Sequence, residues 1–179
     1  MSIVDFWLPI LVAGALTFVV GALIWMVMPW HKGDFSKTND EEGVRAALKG
    51  QQPGVYTVPH AMTNADYQSE EMQQKFKDGP QAFITVMPSG LPQMGPKLIR
   101  MFLINLGVAA LCAYFLTMAP TETYMETFRL TCTVSWTAYG MAYLQESVWF
   151  GRPWSATMKT FLDALIYGLI TGGVFGWLA

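Results

Sequence analysis

The stretch that decides the fold is residues 6–28, FWLPILVAGALTFVVGALIWMVM. It holds 23 residues without a charge. At about 1.5 Å per helical residue it covers a hydrocarbon core of about 30 Å. It is longer than the apolar core of a signal peptide, and no positive charge precedes it, so it is expected to be a retained span. The run closes on Pro29-Trp30-His31-Lys32, a proline followed by interfacial and charged groups.

Three further spans are expected downstream. Residues 98–118 form an apolar run interrupted by Arg100 and, a turn later, Asn105; Ala119-Pro120 stops it, because proline cannot continue the hydrogen-bond ladder. Residues 124–147 are the least apolar, with Arg129, Thr131, Thr133, Ser135, Thr137, Tyr139, Tyr143, Gln145 and Glu146, so they must be buried against protein. Residues 159–179 form the last run. The fold class expected is an all-α membrane protein, a four-helix transmembrane bundle, with a small α+β cap between its first and second spans. Its parts are residues 1–30, the cap at 31–97, and a three-helix unit at 98–179.

Composition agrees. Of 179 residues 53% are hydrophobic and 13% charged, about half the charged share of a soluble domain, and mean hydropathy is positive. The net charge of −2 excludes a strongly basic nucleic-acid binder. Cys112 and Cys132 each sit in an apolar stretch and read as packing residues, not as a disulfide or zinc framework.

The cap carries 15 of the 24 charged residues. Thr38 or Asn39, ahead of Asp40, Glu41 and Glu42, predicts the start of a short helix that Gly50 ends. A second helix is predicted from Asp66 to Lys77, with Met72 and Phe76 on one face and Gly79-Pro80 as the stop. Residues 54–58 and 82–87 read as short strands that could pair. Residues 87–96 read as a turn-rich link.

Sidedness follows from Lys and Arg, which accumulate on cytoplasmic flanks. Lys32, Lys37, Arg45, Lys49, Lys75, Lys77, Lys97 and Arg100 lie on the cap side, joined by Arg152 and Lys159 in the turn between the last two spans. Arg129 alone lies opposite. Trp7 and Trp177 fall at the outer interface and Trp25, Trp30, Trp149 and Trp154 at the inner, where indoles anchor. Both termini are therefore expected outside and residues 31–97 in the cytoplasm.

Two groupings could carry function. In the last span Gly168, Gly172 and Gly176 recur every four residues, which permits close backbone approach, either within the chain or between copies. At the inner interface lie His31, Asp34, His60, Glu146, Arg152, Trp154, Lys159 and Asp163. Ionisable groups at this depth are costly and are a binding hypothesis or a structural ion-pair belt. Lys159 and Asp163, at i and i+4, are expected to pair, and Glu146 could pair with Arg152, Lys159 or Arg100. His31, Asp34 and His60 offer first-row metal ligands without a recognisable spacing, so the metal assignment stays unknown. Twelve methionines show no repeated soft-ligand pattern and read as filler. No phosphate loop and no nucleophile with an evident base is present, and no cofactor is expected.

Several stretches resemble a widespread family of small bacterial membrane proteins of unknown function: residues 2–9 (SIVDFWLP), 29–35 (PWHKGDF), 83–88 (FITVMP), 149–155 (WFGRPWS) and 163–168 (DALIYG), with Gly79-Pro80. The resemblance implies a bacterial inner membrane and supplies no activity or site residues. The function expected is a non-enzymatic accessory or scaffold subunit of a larger membrane complex or a self-associating protein, its partners being lipid and membrane protein and not nucleic acid. A small oligomeric transporter or channel is the alternative, and a lipid-interface enzyme using Glu146, Arg152 and His31 the third.

Overall fold

The structure is a computed structural model that describes residues 2–179. Two compact units make up the chain, one formed by residues up to Ser36 together with Gln93–Ala179, the other by Lys37–Pro92.

The first unit is a bundle of four long helices. Helix α1 (Trp7–Ala22) is preceded by a 3-10 turn, Ile3–Phe6, and followed by a π-helical turn, Leu23–Val27, giving one rod of 25 residues. The chain then makes a single 3-10 turn, Pro29–His31. Helices α5 (Met94–Met118), α6 (Tyr124–Phe150) and α7 (Trp154–Leu178) complete the bundle. Among the described residues three helices are both long and apolar enough to cross a membrane: the α1 rod, α5 and α7. The fourth expected span, α6, has the length at 27 residues but not the apolarity. Only one face of α6 turns its polar groups onto neighbours. Arg129, Thr133, Thr137, Tyr143, Gln145 and Glu146, expected to be buried against protein, are exposed, because a helix packed on one side leaves its other face uncovered. Thr127, Thr131, Ser135 and Ser147 are buried, Ser135 donates to the Thr171 hydroxyl at 3.2 Å, and Ser147 donates to that of Thr157 at 2.6 Å.

The helix limits differ from the sequence expectation for local reasons. Helix α5 begins four residues early, at Met94, because Pro96 falls in its first turn, where an amide has no intrahelical partner to lose. Helix α6 runs to Phe150 and ends on Gly151 at φ 68°, a left-handed position that glycine takes without steric cost. Helix α7 then starts at Trp154, so the turn is only Gly151–Pro153, and Trp154 and Lys159 are helical. At its other end α6 is held by a capping box. Thr123 accepts from the Glu126 N–H, and Glu126 accepts from the N–H groups of Glu122 and Thr123.

The glycine stripe lies in the α6–α7 seam. A Cβ on Gly168 would sit 2.9 Å from the Cys132 carbonyl oxygen, one on Gly172 2.9 Å from that of Phe128, and one on Gly176 2.8 Å from the Tyr124 ring. Successive glycines meet residues progressively earlier in α6, so the two helices run antiparallel. The rest of the core is equally close. Ala13, Ala109, Cys112 and Ala113 are buried with Phe6, Leu116, Val174 and Phe175, and the Cys112 thiol donates to the Thr131 carbonyl at 3.5 Å. Small side chains here let backbones approach, which substitutes for the hydrophobic drive that lipid cannot supply.

The second unit holds α2 (Glu41–Ala47), β1 (Gly54–Val58), α3 (Asn64–Gln68), α4 (Glu70–Asp78) and β2 (Ala82–Val86). The expected strand pairing forms, antiparallel with Tyr56 opposite Ile84. Asp40, not Thr38 or Asn39, caps α2, its carboxylate accepting from the Gly43 N–H at 2.8 Å. The single helix expected over 66–77 is two. Ser69 is extended at ψ 143°, bonds its hydroxyl to the Asp66 carbonyl, and accepts from the Met72 N–H to start α4. Serine competes for backbone groups in this way, which favours caps over helix interiors. Tyr67 packs on Phe76 across the break, ring centroids 5.1 Å apart. No residue from 37 to 92 is buried.

Candidate functional site

Where α1 ends and α7 begins, four ionisable side chains meet in the bundle. The π turn and the 3-10 turn after it bring His31 back under Trp25, whose ring lies flat on the imidazole at 3.8 Å between centroids and 4° between planes. His31 is buried, and both ring nitrogens are engaged: Nδ1 lies 2.6 Å from Asp34 Oδ2 and Nε2 2.7 Å from Asp163 Oδ2. Lys159 donates to the other Asp34 oxygen at 2.6 Å. Each ring nitrogen is thus engaged by a carboxylate oxygen, the proton placement following the tautomer. The result is a quartet of two basic and two acidic side chains. Charge-assisted hydrogen bonds of this length are roughly twice as strong as neutral ones. The Lys159 ammonium holds the Asp34 carboxyl below the usual aspartate range, aided by His31 and opposed by burial.

This arrangement corrects one expected pairing. Lys159 reaches across to Asp34 instead of bonding Asp163 one turn along its own helix, and Asp163 takes His31. Asp163 is buried and takes the buried His31 as its partner, which leaves the part-exposed Lys159 to Asp34. Arg152 also turns elsewhere. It donates to the Thr160 hydroxyl at 3.0 Å, and its guanidinium lies over the Tyr143 ring at 5.3 Å. Trp154 is exposed at the start of α7.

Of the sequence candidates, His31, Asp34, Lys159 and Asp163 are thus brought into contact. His60 belongs to the second unit, where it is exposed and hydrogen-bonded to Thr57 at 2.9 Å. Among the described residues no group of three His, Cys, Asp or Glu side chains has a metal-holding arrangement.

Beside the quartet lies a cavity of about 650 Å³ within the bundle. Phe18 and Ala22 of α1, Leu98 and Met101 of α5, and Ala138 and Ala142 of α6 give it apolar walls. Its polar lining comes from Asn105, Tyr139, Tyr143, Glu146, Asp163 and Tyr167, together with Thr17 and Thr160; no Lys, Arg or His lines it. Tyr139 donates to Asn105 at 3.1 Å, which accounts for an asparagine in the middle of an apolar span. Asp163 is 1% exposed, and while its Oδ2 is held by His31, its Oδ1 is buried without a hydrogen-bond partner.

Sequence reasoning missed Trp25, Asn105, Tyr139 and Tyr167 as site residues. Asn105 offered a signal, being a polar interruption in an otherwise apolar run. The aromatic residues gave none, since interfacial anchoring and ordinary packing explain them equally well. No protein-family profile, curated protein or solved structure was found to match the chain.

Proposed function

We propose that this chain is a non-enzymatic integral membrane protein, an accessory or scaffold subunit of a bacterial inner-membrane assembly. In this reading it crosses the bilayer four times, with both termini outside and Lys37–Pro92 in the cytoplasm. Three apolar helices support the crossing, α6 has the length for a fourth and buries Thr127, Thr131, Ser135 and Ser147 on one face, and the Lys and Arg distribution supports the sidedness.

The observation that carries the accessory role is the state of Lys37–Pro92. Its helices are capped and its strands paired in register, yet none of its residues is buried. A unit of 56 residues with a full core rarely gains more than about 3–5 kcal/mol. One without buried residues gains less and is completed by contact with a partner protein. Val55 at 70% exposed and Leu91 at 93% offer apolar contact area. The quartet supports the non-enzymatic part, because both nitrogens of His31 are committed to carboxylates and neither is open to act as a base. The glycine stripe is spent on α6, so association with another chain would use a different surface.

Photo-crosslinking in cells from positions 55 and 91 tests this. A discrete adduct with a second membrane polypeptide is expected from both, together with slower amide exchange in β1 and β2 in the native assembly than in the isolated chain. A chain that crosslinks to nothing from either position, with exchange in those strands identical in both preparations, would overturn it.

A further inference from the structure

We propose that the bundle cavity binds an amphiphile with one apolar chain and an ammonium head, the head donating to Asp163 Oδ1. Three observations converge on that ligand. The volume, about 650 Å³, lies within the range of about 300–1,000 Å³ typical of small-molecule sites. The walls are apolar, and Met26 and Ile104, both lining residues, are more than half exposed, so the cavity is open to a chain between helices. The charged groups that line the cavity are Asp163 and Glu146; the neighbouring basic groups stand behind the lining, His31 bonded to Asp163, and Arg152 to Thr160 and over the Tyr143 ring.

Asp163 Oδ1 decides the head chemistry. A buried carboxylate oxygen without a partner bears its full desolvation penalty, which an arriving donor offsets. An ammonium brings three donors to Oδ1, whereas a carboxylate or phosphate head would bring acceptors to an acceptor, in a cavity whose lining carboxylates are Asp163 and Glu146. A hydroxyl would satisfy Oδ1 but bring no charge. His31 and Lys159 do not compete for the head, since the first is committed to Asp34 and Asp163 and the second to Asp34. The ammonium can come from a free long-chain amine or from an ethanolamine headgroup, and the chemistry at Asp163 is the same for both.

The test uses the full chain in mild detergent, with binding read by native mass spectrometry and by the melting midpoint. The probes are dodecylamine, a single-chain lysophosphatidylethanolamine, dodecanol and dodecanoate. One or both ammonium probes are expected to bind at least about tenfold more tightly than dodecanol, with dodecanoate weaker still, as a charge-assisted bond implies. Which ammonium probe prevails tells the two sources apart. The Ala142→Trp variant fills the cavity from α6 without touching the quartet, and is expected to lose the binding while keeping its midpoint. Asp163→Asn is expected to remove the preference for ammonium over alcohol. Equal binding of all four chains, no binding of either ammonium probe, or full binding in Ala142→Trp would each overturn the proposal.

Discussion

His31 Nε2 lies 2.7 Å from Asp163 Oδ2, a buried contact between side chains 132 residues apart that ties the end of the first long helix to the last. Removing one partner of a buried pair typically costs about 3–5 kcal/mol, because the other charge is left without compensation. His31→Ala leaves two buried carboxylates, Asp34 and Asp163, without their shared partner. Its melting midpoint in detergent is expected to fall steeply. His31→Gln keeps one donor and is expected to fall in between. An unchanged midpoint for His31→Ala would show that the quartet does not hold the bundle together.

The pH response of the same cluster has a definite sign. Asp34 is held below its ordinary value of 3.8, so its contribution to stability is complete above that value and lost as pH falls through the lowered one. Melting midpoints measured from pH 7 down to pH 2.5 are expected to drop at the acid end in the native chain. Asp34→Asn is expected to start lower and to lose part of that slope. Parallel curves for the two proteins would contradict the assignment.

The α6–α7 seam predicts a contrast between neighbouring glycines. A methyl on Gly172 meets the Phe128 carbonyl oxygen and the Cys132 Cβ, both at 2.9 Å, whereas one on Gly173 meets nothing within 4 Å. Forcing extra volume into a close-packed contact costs about 1–3 kcal/mol. Gly172→Ala is therefore expected to lower the unfolding free energy by that order, and Gly173→Ala to leave it unchanged or raise it slightly. Equal effects would place the close approach elsewhere.

The proposed sidedness predicts opposite reporter signals. Alkaline phosphatase fused after Ala179 is expected to be active, and a fluorescent protein there dark, with the reverse for insertions near Gly50, an exposed residue in the turn after α2. Matching signals at both positions would mean that one of α5, α6 and α7 does not cross.

Much of the fold was legible in the sequence because its signals are local. An uncharged run such as 6–28 reads as a long helix in an apolar surrounding, and Pro120 marks an end because it cannot continue the ladder. The strand pairing of 54–58 with 82–86 was readable for the same reason. The third span, expected to end at residue 147, instead runs to Phe150 and stops where Gly151 takes a left-handed position. Less legible were α5 starting at Met94, where a proline read as a breaker sits harmlessly in a first turn, and the break at Ser69, where a hydroxyl competes with the helix it interrupts.

What the sequence by itself determined is which helices are apolar, where positive charge gathers, and that Gly168, Gly172 and Gly176 share a stripe. Tertiary structure decided that the stripe closes on α6, that Lys159 leaves Asp163 for Asp34, and that Asn105, Tyr139 and Asp163 border one cavity. Periodicity fixes which face of a helix a residue occupies, but not which helix that face will meet. A buried charge takes whichever partner compensates its lost hydration best, and in this bundle that partner lies more than a hundred residues away.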